Sequence, residues 1–351
     1  MEIFDLLAEH KHEQVVFCYE PAAGYKGIIA IHNTTLGPAL GGTRFWHYHS
    51  DLEALVDALR LSRGMTYKAA VAGLNLGGGK AVILGDPHTS RRELIFRAHG
   101  RAVDAFKGRY ITAEDVGTTV EDMDYVHMET DHVVGIGEGS GDPSPVTAFG
   151  VFRGMQASAK QKWGSDSLAG VTVAVQGLGH VGSHLCRHLA AERARLVVTD
   201  IEEARVQKAV SELGAEGVSS ERIYSADAQI FAPCALGAVV NDQTIPQFRC
   251  EIIAGAANNQ LAEDRHGDEL QRRGILYAPD YVINAGGLIN VYGELNHWTA
   301  DRSMRKAGEI YHALLQLFEI AQDQGVPTHV AADKLAERRI EAVGQIQRTW
   351  L

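Results

Sequence analysis

The 351-residue chain is 45% hydrophobic and 22% charged, the make-up of an ordinary globular protein with enough length for two domains. A formal net charge of −11 without any basic run argues against nucleic acid, whose binding rests on clustered Lys and Arg. No stretch approaches ~18 uninterrupted apolar residues, residues 1–10 lack a signal-length apolar core, and the four scattered cysteines (Cys18, Cys186, Cys234, Cys250) form no Cys-x-x-Cys pair. No membrane partner is therefore expected, and a cytoplasmic protein with reduced thiols is.

In chain order, residues 14–19 and 27–32 are rich in Val and Ile and predict two strands joined by a turn. Gly41-Gly42-Thr43-Arg44 leads into another extended run. From Asp51 the spacing of Leu52, Leu55, Val56, Leu59 and Met65 predicts a helix, with Asp51 as its cap, that delivers Lys68 at or just beyond its end. Gly77-Gly78-Gly79-Lys80 follows, and residues 81–84 read as a buried strand that draws Lys80 inward. Three glycines are expected to open positive φ and let a ligand approach the main chain. A desolvated lysine holds its proton less tightly, which makes its amine usable as an acid or base near neutral pH. After a helix over residues 91–106, the strand at 109–112 opens onto Ala113-Glu114-Asp115-Val116-Gly117. A carboxylate at a strand mouth suits a site more than a core.

Residues 135–145, rich in Gly, Pro and Ser, carry the strongest linker signal, and the domain boundary is placed there. A helix over 147–162 leads to Val171-Thr-Val-Ala-Val-Gln-Gly177-Leu-Gly179-His180-Val181-Gly182, then a second helix, then Leu196-Val-Val-Thr-Asp200. Strand, Gly-x-Gly-x-x-Gly, helix, strand and acid within one short span make a dinucleotide-binding turn. The first glycine makes the turn, the second lets backbone meet the pyrophosphate, the third brings helix against strand, and the helix N-terminus stabilises the anion. Asp200, eighteen residues past Gly182, is placed to hydrogen-bond the adenosine ribose and repel a 2′-phosphate, which points to NAD over NADP. Later strands, near residues 229–237, 252–259 and 276–287, end in small or amide side chains, where an open α/β sheet builds its ligand crevice. His184 and His188, one helical turn apart around Cys186, and the pair His47 and His49 fall short of a metal site, and no metal is expected.

Leu36-Gly-Pro-Ala-Leu-Gly-Gly-Thr-Arg44, Arg63-Gly-Met-Thr-Tyr-Lys68, the glycine-lysine segment at 77–80, Tyr110-Ile-Thr-Ala-Glu-Asp-Val-Gly117, Gly255-Ala-Ala-Asn-Asn259 and Pro279-Asp-Tyr-Val-Ile-Asn-Ala-Gly-Gly287 together carry a family resemblance over essentially the whole chain. The sequence resembles the leucine/phenylalanine/valine dehydrogenase branch of the amino-acid dehydrogenases, and its leucine-acting members most of all. The resemblance implies oxidative deamination of an L-amino acid to a 2-oxo acid and ammonia, with NAD as hydride acceptor. It implies that Lys68 binds the substrate carboxylate, Lys80 acts at the α-carbon, and Asp115 exchanges protons with the amino group. It further implies Asn258 near the substrate carboxylate, Thr147 and Asn284 near the nicotinamide amide, and a Gly41 carbonyl on the amine. Leu40, Ala113, Leu288 and Val291 would line the side-chain pocket.

The fold class expected is α/β. A substrate-binding and catalytic domain spans 1–140, a doubly wound Rossmann-type NAD domain spans 141–328 with the active site in the cleft between, and a C-terminal helix over 329–351 packs back on the first domain. The implied chemistry is self-consistent, because hydride leaves Cα only when the amine is neutral, and hydrolysis of the resulting iminium needs an activated water. Lys80, its proton loosened by burial and by the Lys68 charge, suits the second task. Branched-chain aliphatic substrates are expected, with an aromatic specificity or a catalytically silent NAD-binding amino-acid sensor as alternatives. The linker at 135–145 is somewhat shorter than in better-known members, and residues 292–298 also differ. A homo-oligomer is expected, with dimer and octamer both open.

Overall fold

The computed structural model describes residues 3–137 and 141–346. The tip of the expected linker (138–140) and the end of the expected C-terminal helix (347–351) lie outside the described residues. The chain divides into two units, the first made of Met1–Gly141, Glu294–Asn296 and Ala336–Leu351, the second of Asp142–Gly293 and His297–Leu335.

The first unit begins with helix α1 (Ile3–His10), followed by strands β1 (Gln14–Glu20), β2 (Tyr25–Asn33) and β3 (Ala39–Trp46). Helix α2 (Asp51–Val71), β4 (Gly77–Leu84), α3 (Arg92–Asp104), β5 (Tyr110–Glu114) and α4 (Val120–His127) complete it in order. The strands form one mixed sheet in the order β1-β2-β4-β3-β5, antiparallel at β1/β2 and β2/β4 and parallel at β3/β4 and β3/β5. Alternation along the strands sends Ile28, Ala30 and Val82 to the face that buries Ala54, Leu55, Ala58 and Leu59 of α2. The other face packs Tyr25, Phe45 and Ile83 against Ile95 and Phe96 of α3 and Met123 and Val126 of α4. Being covered on both sides, β2 and β4 read as near-continuous apolar runs.

Two sequence expectations are corrected here. Helix α2 is capped by Ser50, whose hydroxyl accepts the Glu53 N–H at 3.1 Å, while Asp51 is already inside the helix. A cap needs an extended backbone, and Ser50 has it. The three glycines lie inside β4 and none has positive φ. Their role is steric: a Cβ would stand 2.0 Å from the Asn33 carbonyl oxygen at Gly77, 2.2 Å from the Thr66 nitrogen at Gly78, and 2.7 Å from the Tyr110 ring at Gly79. They let α2 and the neighbouring strands close onto the start of β4.

The second unit contains α5 (Ser144–Trp163), β6 (Thr172–Gln176), α6 (His180–Ala191), β7 (Arg195–Thr199), α7 (Glu203–Leu213) and β8 (Glu216–Gly217). It continues through β9 (Ile230–Pro233), β10 (Ile252–Ile253), α8 (Asp264–Arg272), β11 (Leu276–Tyr277), α9 (Asp280–Ile283) and α10 (Gly286–Leu295). The helical tail is α11 (Ala300–Gly308), α12 (Ile310–Gln324) and α13 (Thr328–Gly344), whose residues from Ala336 on belong to the first unit. All six strands are parallel, in the order β11-β10-β9-β6-β7-β8. The strand order therefore reverses between β6 and β9, and the turn that leaves β6 is Gly177–Gly182. A switch point of this kind is where a doubly wound sheet opens its ligand crevice.

Candidate active site

Lys80 sits in the middle of β4, opposite Ala30 of β2, and its side chain shares the α2 face with Gly78 and Val82. It is 4% exposed, and its Nζ lies 2.9 Å from Oδ2 of Asp115. Asp115 follows β5 in a turn pinned by Thr118, whose hydroxyl accepts the Asp115 N–H at 2.8 Å. Gly117 completes that turn at φ +80°, where a Cβ would fall 1.9 Å from the Phe45 carbonyl oxygen. Neighbouring β3 makes room: a Cβ on Gly42 would meet the Asp115 Cβ at 2.8 Å.

The same Oδ2 of Asp115 also accepts from Arg44 Nε at 3.0 Å, and Arg44 Nη1 reaches Oδ2 of Asp57, on α2, at 2.8 Å. The Tyr48 hydroxyl donates to that Asp57 oxygen at 2.7 Å. Burial pushes the Lys80 amine below its ordinary value, only partly offset by Asp115. For Asp115, burial pushes the carboxyl up, but the charges of Lys80 and Arg44 outweigh it and hold the group below its usual range. The Arg44 charge further loosens the Lys80 proton, and Arg44, Asp57 and Tyr48 lie outside the residues that the sequence motifs single out for the chemistry. The one signal for Arg44 was its place two residues after Gly42, on the same side of β3 as the glycine.

Lys68 stands in the last turn of α2. Arg339 of α13 closes that helix end, donating through Nη1 to the carbonyls of Ala70 at 3.1 Å and Leu74 at 2.7 Å, and through Nη2 to Asn75 Oδ1 at 3.1 Å. Tyr67 donates to Glu337 at 2.8 Å, and the Arg63 guanidinium lies 4.2 Å over its ring. On β3, Leu40 is buried, and the Gly41 carbonyl accepts the Tyr110 hydroxyl at 2.7 Å. Half-buried Ala113 lies on β5 opposite Gly42.

In the second unit a Cβ on Gly177 would stand 2.7 Å from that of Ala235, and one on Gly182 would stand 2.0 Å from the Gly177 carbonyl oxygen. These two are packing glycines. Gly179 differs: it is the N-cap of α6, no side chain caps the helix there, and a Cβ built on it meets nothing within 4 Å. His180, exposed, and Val181 open the first turn of that helix. The Asp200 carboxylate accepts the Leu178 N–H at 2.6 Å and the Glu202 N–H at 2.9 Å, so it also braces the glycine turn. Asn284 donates to Asn258 Oδ1 at 2.8 Å and to the Ala256 carbonyl at 3.0 Å, while its own Oδ1 is buried with no hydrogen-bond partner among the described residues. Thr147, on the first turn of α5, is brought beside this corner because Gly286 leaves no room for a Cβ, which would be 2.6 Å from Thr147 Cα. Leu288, buried, and half-buried Val291 follow one turn apart on α10. An uncapped helix N-terminus behind an open glycine, together with a buried acceptor lacking a donor, fits a dinucleotide whose pyrophosphate sits on α6 and whose carboxamide reaches Asn284.

Elsewhere, His188 is held between the rings of Phe149 and Phe152 at 5.7 and 5.6 Å. Asp242, Glu263 and His266 lie within ligand distance of one another, but Arg265 already bonds both carboxylates, at 2.6 and 3.0 Å. His266 Nδ1 accepts the Glu263 N–H, so this group caps α8.

The chain belongs to the glutamate/leucine/phenylalanine/valine dehydrogenase family, whose dimerisation domain matches residues 12–132 and whose dehydrogenase domain matches residues 196–344. It is an NAD-dependent amino-acid dehydrogenase. Over its full length it is 56% identical to the leucine dehydrogenase of Bacillus cereus, covering 97% of that protein, and 57% identical to that of Bacillus subtilis strain 168, again over 97%. It is 50% identical to an L-tryptophan dehydrogenase of Nostoc punctiforme, over 97% of this chain and 96% of the relative. The crystal structure of L-tryptophan dehydrogenase from Nostoc punctiforme superposes with a TM-score of 0.90 at 48% identity, covering 97% of this chain and 99% of that one. Glutamate dehydrogenase from Peptoniphilus asaccharolyticus shares the fold, with a TM-score of 0.75 at 21% identity. Among the described residues no helix is long and apolar enough to cross a membrane.

Proposed function

We propose that this chain catalyses the reversible oxidative deamination of leucine, valine and isoleucine to their 2-oxo acids and ammonia. The carrying observation for the substrate class is the 56–57% identity to leucine dehydrogenases along the whole chain. In this reading the first unit is the substrate-binding and catalytic domain and the second holds NAD, which supplies the hydride acceptor when bound. Lys68, a fixed cation at the end of α2, pairs with the substrate carboxylate and, with Asn258, orients Cα. Asp115, held ionised by Lys80 and Arg44, takes a proton from the substrate ammonium, and the Gly41 carbonyl steadies the amine. Lys80, its proton loosened by burial, activates the water that adds to the iminium carbon and releases ammonia. Leu40, Ala113, Leu288 and Val291 offer only apolar surface, so a substrate bearing a charged side chain would leave buried groups unpaired. The dimerisation-domain match supports a homo-oligomer, dimer or octamer, and we place the enzyme in the cytoplasm.

The test is NADH formation from NAD and L-leucine at alkaline pH. No absorbance with any aliphatic or aromatic L-amino acid would sink the enzyme reading in favour of a silent sensor. Lys80→Ala and Asp115→Asn should each lower kcat far more than they weaken NAD binding, and a loss confined to cofactor affinity would remove both from the chemistry. The L-tryptophan dehydrogenase relative sustains one second reading, aromatic specificity, which takes over if kcat/KM for phenylalanine or tryptophan exceeds that for leucine.

A further inference from the structure

We infer that Arg44 is a positioning residue for the deamination step, fixing Oδ2 of Asp115 so that Oδ1 alone faces the substrate ammonium. The inference rests on the catalytic reading of Lys80 and Asp115 given above.

Its geometry is specific. Oδ2 of Asp115 receives two charged donors, Lys80 Nζ at 2.9 Å and Arg44 Nε at 3.0 Å, whereas Oδ1 has no hydrogen-bond or ion-pair partner among the described residues. A carboxylate pinned through one oxygen presents the other in a fixed direction, and the proton passing from the ammonium to Oδ1 leaves a neutral amine. Arg44 is itself immobilised: its Nη1 is tied to Asp57 at 2.8 Å, and Asp57 is held in turn by Tyr48 at 2.7 Å. A planar fork can bridge two carboxylates in this way, whereas a lysine is a single point charge on a flexible stem.

Arg44 also stands between the two reacting groups electrically. The groups that face the pair are Arg44 from β3, Asp57 from α2, Tyr110 and Glu114 from β5, and Tyr48 from the turn before α2; β2 places Ala30 opposite Lys80. Arg44 lowers the proton affinity of Asp115 by attraction and that of Lys80 by repulsion, while Asp57 raises that of Lys80. Removing Arg44 must therefore move both ionisations the same way, a signature that simple structural damage does not produce.

The experiment is the pH profile of kcat/KM for L-leucine, measured on the full-length chain with NAD. Arg44→Gln should lower kcat/KM by about ten- to a hundredfold, as expected for loss of a charge-assisted hydrogen bond, and leave the NAD dissociation constant in place. Both inflections should move to higher pH. Arg44→Lys, which keeps the charge but not the fork, should lose kcat while its inflections stay near those of wild type. Asp57→Asn should move the Lys80 inflection to lower pH, and this variant carries the test alone if Arg44→Gln does not fold. A scaled Arg44→Gln profile that superposes on wild type, inflections that part in opposite directions, or an Asp57→Asn profile that stays put or moves up overturns the inference. Wild-type turnover in Lys80→Ala and Asp115→Asn would instead overturn the catalytic reading, and this inference with it.

Discussion

Gly42 and Asp115 are neighbours that tolerate no atom between them: a Cβ on Gly42 would lie 2.8 Å from the Asp115 Cβ and 2.6 Å from the Glu114 carbonyl oxygen. The methyl group of Gly42→Ala must therefore push the turn after β5 outward. Since a displacement of about 1 Å at a catalytic group costs on the order of a hundredfold in rate, kcat should fall by roughly that factor. NAD affinity should be untouched. Steady-state kinetics with a parallel NAD titration decides it, and retention of more than half the wild-type kcat would show that Asp115 is not held where β3 puts it.

Acid should weaken the first unit through His99. This ring is fully buried on α3, bonded to the Tyr25 hydroxyl at 2.9 Å and the Thr43 hydroxyl at 2.7 Å, and burial pulls its pKa down to about 3. Below about pH 6.5 the unfolded chain binds a proton that the folded ring refuses, so stability is lost as pH falls from there towards about 3. The slope from this one residue is about 1.4 kcal/mol per pH unit. His99→Gln should flatten the dependence of unfolding free energy on pH by that amount. Urea melts between about pH 4.5 and 6.5 read it directly, and an unchanged slope would place the proton uptake elsewhere.

Arg339 should matter to the substrate although it lies on α13. Its bonds to the Ala69 and Ala70 carbonyls, in the last turn of α2, hold the turn that carries Lys68. Arg339→Ala should cost about 1–3 kcal/mol of stability through unsatisfied carbonyls and raise the amino-acid KM several-fold, with little change in NAD binding. A variant that is less stable but shows an unaltered KM would separate α13 from the substrate site.

The cofactor preference can be probed at Asp200. Replacing it with Ser should narrow the gap between NAD and NADP, because a carboxylate repels a 2′-phosphate. Because that carboxylate also accepts the Leu178 N–H at 2.6 Å, the NAD KM should rise as well. Comparable use of both cofactors by the wild type would show that Asp200 serves the turn alone.

Substrate size should respond to Ala113. Ala113→Gly should raise phenylalanine activity relative to leucine by about tenfold, one methyl in a pocket being worth ~1–3 kcal/mol. Relative kcat/KM values measure it, and an unchanged ratio would take Ala113 out of the pocket wall.

The parts legible in the sequence were those encoded by contiguous residues. The dinucleotide turn with its strand and helix, the buried strand carrying Lys80, and Asp115 at the mouth of β5 each announce themselves within a short window. Arg44 and Asp57 do not, because their meaning arises only when β3 and α2 converge on Asp115 from separate parts of the chain. The triple glycine was visible but misread: local rules say that glycine frees the backbone, whereas at 77–79 the need comes from Asn33, Thr66 and Tyr110 crowding the strand from outside. The cap of α2 was missed by one residue, since Ser50 and Asp51 are both good caps and only the backbone chooses between them.

The bond from Tyr67 to Glu337 and the grip of Arg339 on the end of α2 each span 270 residues of chain. Contacts of such separation close only after the intervening elements have brought the two segments together, so the end of α2 that bears Lys68 is completed by a distant part of the chain and not by its own helix. A variant lacking α13 would be expected to keep the apolar contacts between α2 and its sheet and yet leave that helix end unclosed.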